Sequence, residues 1–171
     1  MPFGDASVTK FCIRIATVAD APALAEVQAG IYAEGRWFVG DGPPSAEALR
    51  QRLRVFDTSR SLYLAAIRGE LPVGWLELHR PYPRKLKHVA ILTLAVEAAY
   101  RQQGAAGALL REGYAWAEAQ GVKKIGLSVR EHNRAALSLY EREGFVLEGR
   151  ERRQIFDAGA FEDNLLMAKF L

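Results

Sequence analysis

The sequence predicts a mixed α/β fold of the α+β type, with helices packed on one sheet, and three observations carry that prediction. Several short runs alternate apolar and polar residues, the mark of half-buried strands. Other stretches space their apolar residues three and four apart and stop at glycine, the mark of helices. All seven prolines fall at or before position 83, so the second half runs free of that breaker and holds the strongest patterns.

Phe11 to Ile15 alternates as a strand. Thr17-Val-Ala-Asp20 gives a capping-box start, and Leu24, Val27 and Ile31 continue a helix until Gly35. Gly40 to Pro44 is a loop, after which Ser45 caps a second helix carrying Leu49, Leu53 and Phe56. Its Arg50, Arg52 and Arg54 read as a solvated face. Ser61–Arg68 and Val73–Arg80 are a strand pair turned at Gly69-Glu70. His88–Val96 is apolar enough to be a central strand. Gly104 to Gln120 is helical, with Gly121 as its stop. Ile125, Leu127 and Val129 alternate in a short strand. Asn133 to Glu143 is a helix closed by Gly144, and the segments 145–154 and 164–170 pair as a last hairpin around Asp157–Ala160. The order β-α-α-β-β-β-α-β-α-β-β excludes a strictly alternating doubly wound fold.

The 171 residues, half of them hydrophobic and 25% charged, suit one domain over residues 1–171 that needs no metal or disulfide to hold it. No apolar run approaches the ~18 residues of a membrane span. Lys10, Arg14 and Asp20 interrupt the N-terminal apolar stretches, which argues against a signal peptide. The single cysteine, Cys12, allows no intrachain disulfide and makes the cytoplasm the expected compartment. His79, His88 and His132 show no zinc spacing, so no metal is expected. The net charge of +3 arises from 23 basic and 20 acidic side chains, interleaved rather than gathered on one face. Neither nucleic acid nor membrane is an expected partner. The densest basic run, Arg80 to His88, is a solvated loop or an anion-facing rim.

The strand 88–96 leads into Arg101-Gln102-Gln103-Gly104-Ala105-Ala106-Gly107 at the mouth of a helix. Small residues there let a ligand approach the backbone. The first-turn amides lack intrahelical partners and carry the positive end of the helix dipole, which suits a diphosphate. Tight packing of helix on sheet is the plainer use of the same residues. Neither G-x-x-x-x-G-K-[ST] nor G-x-G-x-x-G occurs.

Arg101-x-x-Gly104-x-Ala106 resembles the [Q/R]-x-x-G-x-[G/A] motif of the GNAT N-acetyltransferases. Leu92 to Val96 is similar to the strand before that motif. Asn133-Arg-Ala-Ala136-Leu-Ser-Leu139-Tyr140-Glu-Arg-Glu-Gly144-Phe145 is similar to the family's N-x-x-A-x-x-L-Y-x-x-x-G-F segment, and Ile155 to Met167 resembles the last hairpin of many members. The likeness spans roughly residues 11 to 171. It implies a mostly antiparallel sheet of about six to seven strands with about four flanking helices, acting as a single N-acetyltransferase domain. The implied activity moves an acetyl group from acetyl-CoA, as co-substrate, to a primary amine of a small molecule or peptide in a ternary complex. The rival class is a non-catalytic acyl-CoA-binding or sensing domain. A homodimer is common in the family and the sequence leaves it open.

Residue by residue, the resemblance implies that the backbone of Leu94 and Val96 pairs with the pantetheine arm, with Ala95 between them in the same cofactor-binding stretch. It implies that the amides of Gln102, Gln103, Gly104, Ala105, Ala106 and Gly107 hold the pyrophosphate, with Arg101 at the edge. Gln102, Gln103 and Gly107 stand where members often carry Gly, Lys and Arg, so amides must supply more of the binding here. Lys123 and Lys124 are candidates for the adenosine 3′-phosphate, or ordinary surface lysines. It implies that Asn133 bonds the pantetheine or a water and that Tyr140 protonates the departing sulfur; a core aromatic with its hydroxyl bonded locally is the other reading of Tyr140. Ala90 stands where some members have a glutamate base. That leaves His88, Glu77 with its neighbour His79, or an ordered-water relay. Ile31, Tyr32, Trp37, Phe38, Trp75, Tyr82 and the Phe156–Phe161 loop either enclose an apolar amine or belong to the core.

Overall fold

A computed structural model describes residues 11–171; Lys10, one of the residues interrupting the N-terminal apolar stretches, lies outside the described residues. In chain order the elements are β1 (Cys12–Ile15), α1 (Ala21–Ala33), α2 (Ala46–Arg54), β2 (Ser61–Arg68), β3 (Leu71–His79), β4 (Val89–Val96), α3 (Ala105–Ala119), β5 (Lys124–Arg130), α4 (Arg134–Arg142), β6 (Val146–Asp157) and β7 (Ala160–Phe170). One seven-stranded sheet runs β1-β2-β3-β4-β5-β7-β6. All its pairs are antiparallel except β4 with β5. The expected fold is therefore the observed one, and β4 is the middle strand.

Strand alternation sends side chains to two faces, and helices cover both. Leu62, Leu64, Leu76, Leu78 and Leu92 meet Leu109 and Leu110 of α3 and Leu137 and Tyr140 of α4. Tyr63, Ala65 and Trp75 point the other way and bury Leu24, Ile31 and Leu49 of α1 and α2. The apolar runs of β2 and β3 are buried throughout because each lies between two helical layers.

Local signals act as the sequence suggests. The Asp20 carboxylate accepts the Thr17 amide at 2.7 Å and the Thr17 hydroxyl at 2.9 Å, and Arg14 grips the same carboxylate. Ser45 Oγ accepts the Ala48 amide at 3.1 Å. The last hairpin is longer than its alternation shows, because both strands run on to a tight turn in which Ala158 and Gly159 hold φ of 48° and 80°. Arg52 corrects the solvated face of α2: its guanidinium pairs with the buried Glu77 carboxylate of β3. Gly74 permits the close approach of β3 to the end of β4, since a Cβ there would stand 2.8 Å from the Ala95 carbonyl oxygen.

Candidate active site

The site starts from a pairing that stops early. β4 and β5 are joined only over Val89–Ile91 and Lys124–Gly126. Beyond those residues the strands part, and Leu92–Val96 and Leu127–Arg130 face each other across a wedge without pairing. β4 stays bonded to β3 up to Val96, while along its inner edge beyond Ile91 no strand of the described residues stands beside it. Leu94 and Val96 turn their backbone groups to that edge and Ala95 turns its own to β3; the Val96 carbonyl already accepts Nε of Arg101. After Val96 the chain turns through Ala98–Tyr100 and reaches Gly104, the residue before α3.

Gln102 (φ 58°) and Gly104 (φ 93°) both hold left-handed backbone. At Gly104 that conformation favours glycine, and nothing stands within 4 Å of where a Cβ would be. The amides of Ala105, Ala106 and Gly107 open α3 without intrahelical acceptors. Gln103 turns its side chain back to the Ala99 carbonyl at 2.8 Å, so its amide group serves the turn. An open glycine corner, orphan amides and an unpaired strand edge in one line fit a diphosphate joined to an amide-bearing arm.

Tyr140 lies on the α3 side of the sheet, 7% exposed, its ring centroid 5.3 Å from that of Phe145. Leu94 packs against the same apolar cluster. Burial pushes the Tyr140 phenol above its ordinary range, so it stays protonated at neutral pH. Asn133 caps α4, its Oδ1 accepting the Ala136 amide at 3.2 Å. Its oxygen is thus committed to the helix, and the amide NH2 is the part left to donate.

On the opposite face a cleft of about 610 Å³ opens between the loop after α1 and the β6–β7 hairpin. Tyr32 stacks on Phe38 at 4.7 Å and Phe38 on Trp75 at 5.8 Å. Trp75 is paired with Ala95, so this aromatic stack stands over the end of β4. Phe156 and Asp157 belong to the far wall. Arg130, 6% exposed, binds Asp157 at 2.9 Å and Glu162 at 2.6 Å. Burial opposes the charge on Glu162, but Arg130 and His132 outweigh it and hold the carboxyl below its usual range. Ile31 belongs to the core instead, and Tyr82 lies exposed under Arg60, away from the cleft.

Two candidates stand away from the roles expected of them, and two open alternatives fall to their plainer reading. His88 is exposed in the turn before β4, roughly 26 Å of strand from Val96, and is not brought to the wedge. The basic run Arg80–His88 is at that same far end; Arg80 donates to the Ser59 and Lys87 carbonyls and fixes the loop. Lys124 pairs with Glu148 at the start of β5, so it and Lys123 also stand at the end away from Gly104. Arg101 turns from the cradle: it pairs with Glu34, and its Nε donates to the Val96 carbonyl at 2.8 Å. Glu77 does lie on the cleft's side of the sheet but is tied under α2 by Arg52.

Sequence reasoning missed Glu34, Arg130 and Glu162. Arg130 had a signal, a cation closing an apolar alternation. Glu34 had none, being 67 residues from its partner.

The sequence model of the acetyltransferase (GNAT) family matches residues 31–145. An L-amino acid N-acetyltransferase of Escherichia coli is 29% identical over 107 residues, 62% of this chain and 65% of that relative, so the chain matches under two thirds of its length. A GNAT-family acetyltransferase structure from Streptococcus pneumoniae superposes with a TM-score of 0.88 at 27% identity, over 94% of this chain and 99% of that one. A phosphinothricin acetyltransferase of Sinorhizobium meliloti, solved in complex with acetyl-CoA, gives 0.86 at 19% identity, over 95% and 89%.

Proposed function

This chain belongs to the acetyltransferase (GNAT) family, and from that premise we propose that it transfers acetyl from acetyl-CoA directly to the primary amine of a small, amino-acid-sized molecule. The wedge between β4 and β5, ending at the Gly104 corner, is the observation that carries this reading. The name of the E. coli relative supports the acceptor class, and so does a cleft of about 610 Å³ with aromatic walls. The complex of the S. meliloti structure supports the donor.

Acetyl-CoA supplies an acetyl group activated as a thioester. The inner edge of β4 at Leu94 and Val96 binds the pantetheine amides as an added strand would, and the amides from Gln102 to Gly107 hold the diphosphate. From the cleft side, the acceptor nitrogen forms its bond to the carbonyl carbon as the carbon–sulfur bond breaks. An amide on the unpaired β4 edge donates to the carbonyl oxygen while charge gathers there. The electron pair leaves on sulfur, and the Tyr140 hydroxyl gives sulfur its proton. The proton surrendered by the amine passes to water, since Glu77 is held by Arg52 and His88 stands at the wrong end of β4, and water returns a proton to the Tyr140 phenolate.

The test is release of free CoA thiol with a panel of L-amino acids, polyamines and short peptides. Turnover with amino acids is expected. Tight acetyl-CoA binding without turnover on any amine would favour the non-catalytic alternative.

A further inference from the structure

Glu34 closes α1 and its carboxylate is a junction. It accepts Nη1 of Arg101 at 2.8 Å and the Trp37 indole N–H at 2.6 Å, while Nη2 of Arg101 bonds its second oxygen. Both partners of the ion pair are largely shielded, with side chains 32% and 26% exposed. The Trp37 ring lies 5.4 Å from the Arg101 guanidinium and 4.9 Å from that of Arg36. Arg101 is also fastened to the end of β4 through the Val96 carbonyl. A forked pair of this kind is stronger and more directional than a single contact between charges.

The pair therefore joins two regions with separate tasks. Arg101 begins the left-handed turn that opens the cradle, and Glu34 begins the loop 35–43 that walls the acceptor cleft. Whatever orders the turn at 101–104 orders the Arg101 fork, and the fork holds Glu34 and Trp37.

We propose that Glu34 is a positioning residue that couples the two halves of the site, transmitting the ordering of the cradle by CoA to the acceptor wall at 35–43. The proposal rests on the assignment of the cradle to CoA. By linkage the effect is reciprocal: an acceptor that orders the wall tightens CoA by the same factor, about 5- to 150-fold for couplings of ordinary size.

Amide hydrogen exchange on the full chain, with CoA alone as the probe, tests it. In the wild type, saturating CoA slows exchange at 102–107 and, severalfold, at 35–43. In Glu34→Gln, which keeps the shape but loses the charge, protection at 102–107 remains and the increment at 35–43 disappears. Arg101→Lys keeps the charge but not the fork and gives the same pattern, so a folding defect in one variant does not decide the outcome. A purely structural Glu34 would speed exchange at 35–43 with and without CoA, leaving the increment intact. That result, or no increment in the wild type, overturns the proposal. CoA that protects neither segment overturns the cradle assignment itself.

Discussion

Tyr140 is both a packed aromatic and the proposed acid, and the two roles separate on one mutant. Tyr140→Phe keeps the ring against Phe145 and removes only the hydroxyl. We expect turnover to fall about 100-fold, the lower end for loss of a general acid, with the melting temperature nearly unchanged. Normal turnover in a less stable protein would make Tyr140 a core residue only. Because burial holds the phenol above its ordinary value, its deprotonation should not shape the pH–rate profile at or below neutral pH. Arg52 carries a second prediction at this scale. Arg52→Met leaves the buried Glu77 carboxylate unpaired and should cost about 1–3 kcal/mol, less than the 3–5 of a fully buried pair because Arg52 is half-exposed. Denaturant melts check this, and adding Glu77→Leu should restore most of the loss. Tyr140, Asn133 and Gly104 were legible as candidates because each belongs to a short run that resembles a motif of the family. The partners of Arg52 and Arg101 were not, since an ion pair across 25 or 67 residues leaves no periodicity.

The cradle is made by elements rather than by side chains. A strand held on one edge and released on the other meets a helix whose first amides are unpaired, and glycine at the corner keeps the approach open. Valine at Gly104 would confuse two effects, because φ of 93° strains any side chain whatever the space. Gly107 is cleaner: a Cβ there meets only the tip of Arg111 at 3.7 Å. Gly107→Val should fold normally, and calorimetry should record at least a tenfold loss of CoA affinity, about 1.4 kcal/mol. Unchanged affinity would make this turn of α3 a packing device. The strand and the helix were each visible in the sequence from alternation and spacing. The wedge between them was not, because the sequence of β4 does not say how far β5 follows it.

For the whole molecule, a ligand that binds only the folded state must stabilise it by mass action. Acetyl-CoA at 100 times its Kd should add about 2.7 kcal/mol, or roughly 5–10 °C of melting temperature for a chain of this size. NAD and ATP should do much less. Stability should also fall in acid. Arg14, with the Thr17 amide and hydroxyl, pushes the Asp20 carboxyl down to about 2, against 3.8 ordinarily. The folded state thus binds this proton less readily than the unfolded one. The contribution is complete above pH 3.8 and is lost as pH falls toward about 2. Glu34 and Glu162 are depressed in the same direction. Thermal melts from pH 6 to 2 should show the decline, and Asp20→Asn should flatten part of it.

The order of the elements, their caps and stops, and the strand–turn–helix stretch around Gly104 follow from the sequence, because hydrophobic period and turn chemistry are local. Tertiary contacts alone settle that β5 leaves β4 after three pairs, that Arg101 serves Glu34 rather than the Gly104 corner, and that His88 stands at the far end of β4. Those outcomes depend on which surfaces meet once both faces of the sheet are covered, and contacts between distant segments are set by packing and by the pairing of charges it shields from water.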